Sequence, residues 1–139
     1  MDAMDILQST LDGVLLPYGI TSHRGRRVEV DRIEIDGKEI PVNRDEYVVY
    51  RLVSSPTGTY GDGRAMTERK FADVNYYYRY EKDDSRVKEV MERIKTIKKA
   101  LLSNPLIRLA NGESDLPDID SPYRGINMEF LFIGACNDG

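Results

Sequence analysis

The chain has 139 residues, 40% hydrophobic and 32% charged, with a formal net charge of −4. This is the size and balance of one soluble globular domain with a real core, and the acidic total argues against a protein whose main task is gripping nucleic acid. A single cysteine, Cys136, excludes an intrachain disulfide, and the single histidine, His23, set in a polar, arginine-rich loop, does not easily assemble a histidine metal cluster or a Ser-His-Asp triad.

"MDAMDILQSTLDGVLLPYG" repeats apolar residues at Ala3, Ile6, Leu7, Leu11, Val14 and Leu15. That spacing predicts an amphipathic helix over residues 2–16, ended by Pro17 and Gly19, with Asp5, Gln8, Ser9 and Asp12 on its polar side. The N-terminus is acidic and no run of about 18 apolar residues occurs, so neither a secreted nor a membrane-spanning chain is expected.

In "TSHRGRRVEVDRIEIDGKEI", His23 falls in a polar, arginine-rich loop. Val-Glu-Val and Ile-Glu-Ile are out of phase across Asp31-Arg32, which predicts a bulge or two short strands. Asp36-Gly37 marks the tight turn of a β-hairpin. Few apolar residues anchor this hairpin, so it is expected to project from the core.

"EYVVYRLVSS" reads as a strand buried on both faces or central in its sheet. "PTGTYGDGR" is a glycine-rich loop that lacks the Lys-Ser/Thr of a phosphate-binding loop. A long strand is expected over residues 67–81, where four tyrosines crowd into "YYYRY". Such crowding suits a base-stacking platform, a subunit contact or a core wall. Alternation places Ala72, Val74, Tyr76, Tyr78 and Tyr80 on one face, and Asp73, Asn75, Tyr77 and Arg79 on the other. Core burial with hydroxyls reaching a wet edge fits best. A stacking platform wants rings beside cations, whereas Asp73, Glu81, Asp83 and Asp84 balance the charge here.

The second helix opens at Asp84 or Ser85 and repeats Val87, Val90, Met91, Ile94, Ile97 and Leu101 at helical spacing. Glu89 with Arg93, and Glu92 with Lys95, form favourably oriented pairs on it. "PLIRLANG" is a short strand, and "ESDLPDIDSPYRG" an acidic loop. "GINMEFLFIGA" is a last strand with Ile126, Met128, Phe130 and Phe132 inward. The predicted fold class is α+β, a single domain over residues 1–139 with a mostly antiparallel sheet packed against two helices and a projecting β-hairpin.

Little in the sequence suggests catalysis. Asp115, Asp118 and Asp120 invite a divalent-cation reading, but Pro117 and Ile119 interrupt the alternation of oxygen ligands that an EF-hand loop requires. The cluster "HRGRR" gathers Arg24, Arg26 and Arg27, which suits phosphate or an acidic neighbouring subunit equally. No cofactor, no metal and no enzymatic activity is expected.

The succession of an N-terminal helix, "YVVYRLVSS", a Gly/Asp loop, "FADVNYYYRYEKDD", the "IKKAL" helix end and "RGINMEFLFIG" resembles the small tail-terminator and tail-completion (tail-to-head joining) proteins of long-tailed bacteriophages and prophages. The likeness follows the order of elements over residues 1–135. It implies a structural virion protein of the tail or neck, assembled in the host bacterial cytoplasm. Such a protein forms a homo-oligomeric ring, commonly a hexamer, that caps the tail tube protein and meets the head-completion or connector protein. DNA would pass through its lumen without specific binding, and no membrane partner is implied. Carried onto this chain, the hairpin at residues 27–42 and the loops at 56–64 and 113–123 become candidate assembly contacts. The individual candidates are Arg24, Arg26, Arg27, Glu34, Lys38, Tyr60, Asp62, Arg64, Tyr77, Asp118 and Asp120. The competing expectation is a small nucleic-acid-binding accessory protein that uses Arg24, Arg26 and Arg27.

Alternation makes its own prediction. Tyr78→Ala should destabilise the protein by about 3 kcal/mol in urea denaturation, the usual cost of emptying an aromatic core site, and Tyr77→Ala by much less. Equal losses would place the strand in a different register.

Overall fold

The computed structural model describes residues 3–56, 68–79, 85–116 and 122–133. Helix α1 spans Ala3–Leu15, and Ala3, Leu7, Leu11 and Leu15, one on every fourth position, are all buried. A 3-10 turn, Leu16–Tyr18, follows and closes on Gly19, whose N–H donates to the Leu16 carbonyl at 2.8 Å. Gly19 sits at φ 76° in the left-handed region, and a Cβ there would run into the Pro41 carbonyl. Only glycine meets both conditions.

The strands are β1 (Thr21–Arg24), β2 (Ile33–Ile35), β3 (Lys38–Ile40), β4 (Glu46–Pro56), β5 (Glu68–Arg79), β6 (Ile107–Asp115) and β7 (Tyr123–Phe132). Helix α2, Ser85–Leu102, lies between β5 and β6. Five strands form one sheet in the order β1-β4-β5-β7-β6, and β2 and β3 form a separate two-stranded sheet. Every pairing is antiparallel except β1 with β4. The fold is therefore α+β, as the sequence predicts, with a mixed main sheet.

Alternation holds through the centre of the sheet. Ala72, Val74, Tyr76 and Tyr78 are buried, while Asp73, Asn75 and Tyr77 are half-buried and Arg79 is exposed. Val48 and Tyr50 of β4 and Ile126, Met128, Phe130 and Phe132 of β7 complete the inner face. Helix α1 covers it with the residues above, and α2 with Val90, Ile94, Ile97 and Leu101. Each fully buried Leu, Ile or Phe contributes about 1.5–3 kcal/mol relative to exposure.

One charged side chain lies inside this layer. Glu46, at the first position of β4, is 2% exposed. Its Oε1 accepts from the Tyr76 hydroxyl and from Arg93 Nη1, each at 2.6 Å. Its Oε2 accepts from Arg86 Nη1 and Asn43 Nδ2, each at 3.3 Å. Both arginines belong to α2, so one carboxylate holds the helix in register on the sheet. Burial, and then the Glu46 charge, push the Tyr76 phenol far above its ordinary range, so it remains a donor. The Tyr76 hydroxyl is thus enclosed by ionic partners, where the sequence suggested a wet edge. On α1, Gln8 accepts from the Tyr50 hydroxyl and donates to Asp12 at 2.9 Å, so part of the predicted polar side faces the protein.

Other departures have local causes. "TSHR" is a strand, and His23 on it is buried, its Nε2 sharing a 2.7 Å hydrogen bond with Thr21 Oγ1. The segment takes its order from parallel pairing with residues 47–50, which no apolar pattern announces. Val28–Val30 forms no strand; only Ile33–Ile35 pairs, across a turn with positive φ at both Asp36 and Gly37. β4 is internal to the sheet, as expected, between β1 and β5. Glu46, Val48 and Tyr50 are buried on its inner face, while its outer face buries Val49 but exposes Arg51 and Val53. Glu113–Asp115 continues β6 through register shifts, held in part by Lys98 of α2 on Glu113.

Glu46→Ala should lower stability by about 3 kcal/mol, because it removes the buried anion that Arg93, Arg86 and Tyr76 share and leaves the arginines only the more exposed Glu89 and Asp45. Urea denaturation measures this; a loss below about 1 kcal/mol would make the cluster a surface network in effect.

Candidate functional site

Among the described residues no helix covers the opposite face of the sheet. Pairing across β4, β5 and β7 builds that face from successive ladders. They are Tyr47, Tyr77 and Gly125; Val49, Asn75 and Asn127; Arg51, Asp73 and Glu129; and Val53, Phe71 and Leu131.

The aromatic end is preorganised. The Tyr47 and Tyr77 rings stack at 5.0 Å and 19°, and Tyr123 meets Tyr47 edge-on at 5.5 Å. Arg27 lies over Tyr47 with its Cζ 4.2 Å from the ring centre, and 5.8 Å from that of Tyr123. Arg27 Nη2 and the Tyr123 hydroxyl both donate to the Arg44 carbonyl, at 3.2 and 2.9 Å. A solvent-reached cation–π contact contributes about 0.5–1 kcal/mol, and together with the Arg44 carbonyl it holds Arg27 on its own sheet. Gly125 makes room for the stack: a Cβ there would sit 3.0 Å from Tyr77 Cε1 and closer still to Leu116 Cδ1. Burial pushes the Tyr47 phenol up, with Arg27 pulling the other way.

The middle of the face is polar and internally bonded. Asn127 Nδ2 donates to Asn75 Oδ1 at 2.8 Å, and Asn111 Nδ2 donates to Glu129 Oε2 at 2.8 Å. Asp73 stands directly opposite Glu129. Burial, and then the Glu129 charge, hold the Asp73 carboxyl above the usual range, against the Asn127 amide.

The hairpin carries the third group. Glu34 and Glu39 are cross-strand partners and so share one face. Glu39 reaches Arg32 at 3.6 Å, an exposed pair, while Glu34 forms no ion pair among the described residues. Between the hairpin and the lead into β4 lies an open cavity of about 340 Å³, lined by Asp31, Glu39, Ile40, Pro41, Val42 and Arg44.

The sequence-predicted contacts thus divide. Arg27 and Tyr77 come together through Tyr47. Arg24 and Arg26 are exposed and form no ion pair among the described residues. Glu34 and Lys38 are exposed on the hairpin, on opposite faces. Tyr60, Asp62, Arg64, Asp118 and Asp120 lie outside the described residues. Asp115 is exposed on β6, and among the described residues no three His, Cys, Asp or Glu side chains are grouped to hold a metal ion. No helix among them is long and apolar enough to cross a membrane. Tyr47 and Tyr123 were not singled out by sequence; "YVVY" offered the signal for the first, but only the register shows which tyrosine faces out. Compared with models of known protein families and with curated proteins, the chain matches none.

Asp73 sets a pH dependence whose sign follows from linkage. Its folded-state pKa is raised, so its favourable contribution is complete below the ordinary aspartate value of 3.8 and is lost as pH rises through the folded value. Asp73→Asn, whose amide can donate to Glu129, should therefore melt higher than wild type at neutral pH, with the gap closing in acid. A lower melting temperature at neutral pH would show that accepting from Asn127 outweighs repulsion.

Proposed function

We propose that the protein is a structural subunit of a long-tailed bacteriophage or prophage, one that forms a homo-oligomeric ring capping the tail tube and joining it to the head connector. The sequence resemblance supplies the particular role. The observation that supports assembly is the sheet face left without a helix, with Tyr47, Tyr77 and Tyr123 half-buried at one end and Val53 47% exposed at the other. Tyrosine and arginine are enriched in interface cores, and a sheet with one layer of helices gains by acquiring a second cover. On this reading the partners are further copies of the chain, the tail tube protein and the head-completion protein, and DNA passes the lumen unbound.

The stacking of Arg27 on Tyr47 weighs against the nucleic-acid alternative. It removes one of three arginines from the cluster and covers a ring that a base would need.

Light scattering on the eluting protein, followed by negative-stain microscopy, tests the proposal. Closed rings, and retention on purified tail tubes, are expected. A chain that stays monomeric at high concentration and ignores both tubes and connectors would sink it.

A further inference from the structure

Segments 23–27 and 28–40 carry opposite charge side by side. The first has three arginines and no acid. The second has five acidic and two basic side chains, leaving three net negative charges. Within one copy the two do not neutralise each other. Arg24 and Arg26 end free of ion pairs among the described residues, and so does Glu34.

The hairpin holds its carboxylates at a disadvantage. Glu34 and Glu39 stand directly opposite each other, and like charges in that position destabilise a strand pair. A two-stranded sheet has little stability to spare, and this one buries Ile33 beside the 3-10 turn while its other side chains are exposed or half-buried. Arg32 relieves Glu39 only from an exposed 3.6 Å contact. Guanidinium groups from outside would relieve both carboxylates, since Arg meets carboxylates with a planar fork of donors.

We propose that the β2–β3 hairpin of one copy docks onto the next copy through Glu34 and Glu39, which meet Arg24 and Arg26 of that neighbour. The donor and acceptor surfaces differ, so a head-to-tail arrangement can use each of them once per copy, and such a contact closes into a ring where its rotation closes. This inference rests on the ring reading above and assigns its subunit contact. Among the described residues Glu34, Arg24 and Arg26 have no ion-pair partner inside a copy and Glu39 has only the exposed Arg32, whereas a second copy offers each of them the opposite charge, which makes it the fitting occupant.

Two charge reversals test it, Glu34→Arg with Glu39→Arg, and Arg24→Glu with Arg26→Glu, each followed by sedimentation equilibrium and circular dichroism. Each reversal alone should raise the subunit dissociation constant by about 100-fold, the scale of an interface turned from attraction to repulsion. Mixing the two reversed proteins in equal amounts should restore assembly, because every contact then pairs opposite charges again. The milder Glu34→Gln with Glu39→Gln, weakening assembly by about 10-fold, serves if the arginine version disturbs the hairpin. Oligomers indifferent to the reversals, or no recovery on mixing, would overturn the hairpin contact and leave the ring proposal standing. A monomeric wild-type protein would overturn both. Loss of single-stranded oligonucleotide binding by Arg24→Glu with Arg26→Glu, with assembly intact, would assign the arginines to nucleic acid and refute the contact.

Discussion

A carboxylate removed from water must be met by charge and by donors, and Glu46 is met on every side. Tyr76, Arg93, Arg86 and Asn43 supply hydrogen bonds from β5, α2 and the lead into β4. Burying an ion pair costs several kcal/mol of desolvation, so such a cluster adds less net stability than its short distances suggest. Its effect is on geometry. Two guanidinium groups of α2 meet one carboxylate of β4, so the cluster marks which turn of the helix lies over the start of that strand. Arg93 also lies over Tyr18, with its Cζ 4.9 Å from the ring centre, and so links α2 to the 3-10 turn that follows α1.

The same residue organises the exposed side. Because strand neighbours point oppositely, drawing Glu46 inward turns Tyr47 outward, and Tyr47 is the ring on which Tyr77, Tyr123 and Arg27 converge. The core and the surface cluster are therefore consecutive positions of one strand. The two faces follow different chemistry. The inner one is closed by aliphatic and aromatic packing, and the outer one is ordered by amide ladders, ring stacking and a cation held above a ring.

What the sequence disclosed depended on whether a pattern was local. The 72–78 alternation, the three- and four-residue recurrence in α1 and α2, and the Asp36-Gly37 turn are each local in sequence, and each matches the structure. β1 escaped because "TSHR" has no apolar residue and takes its shape from a strand more than twenty positions away. Glu46 escaped for a related reason: a glutamate opening a strand is ordinarily solvated, and only the placement of α2 encloses it. Of the candidate contacts, Tyr77 is where alternation puts it, but the engagement of Arg27 required Tyr47, Tyr123 and the Arg44 carbonyl to be brought together across distant register. Charge composition grouped Arg24, Arg26 and Arg27 as equals, and the structure separates the last from the others.

The single parallel pairing has a kinetic meaning. β1 joins β4 only after the chain has travelled out through β2 and β3 and back, so its hydrogen bonds require closing a long loop. The turn with left-handed backbone at Asp36 and Gly37 pairs β2 with β3 inside that loop and so shortens the chain that has to be closed. β1 itself is short and lies at the sheet's margin, paired on one side only, so its place depends on that closure being complete.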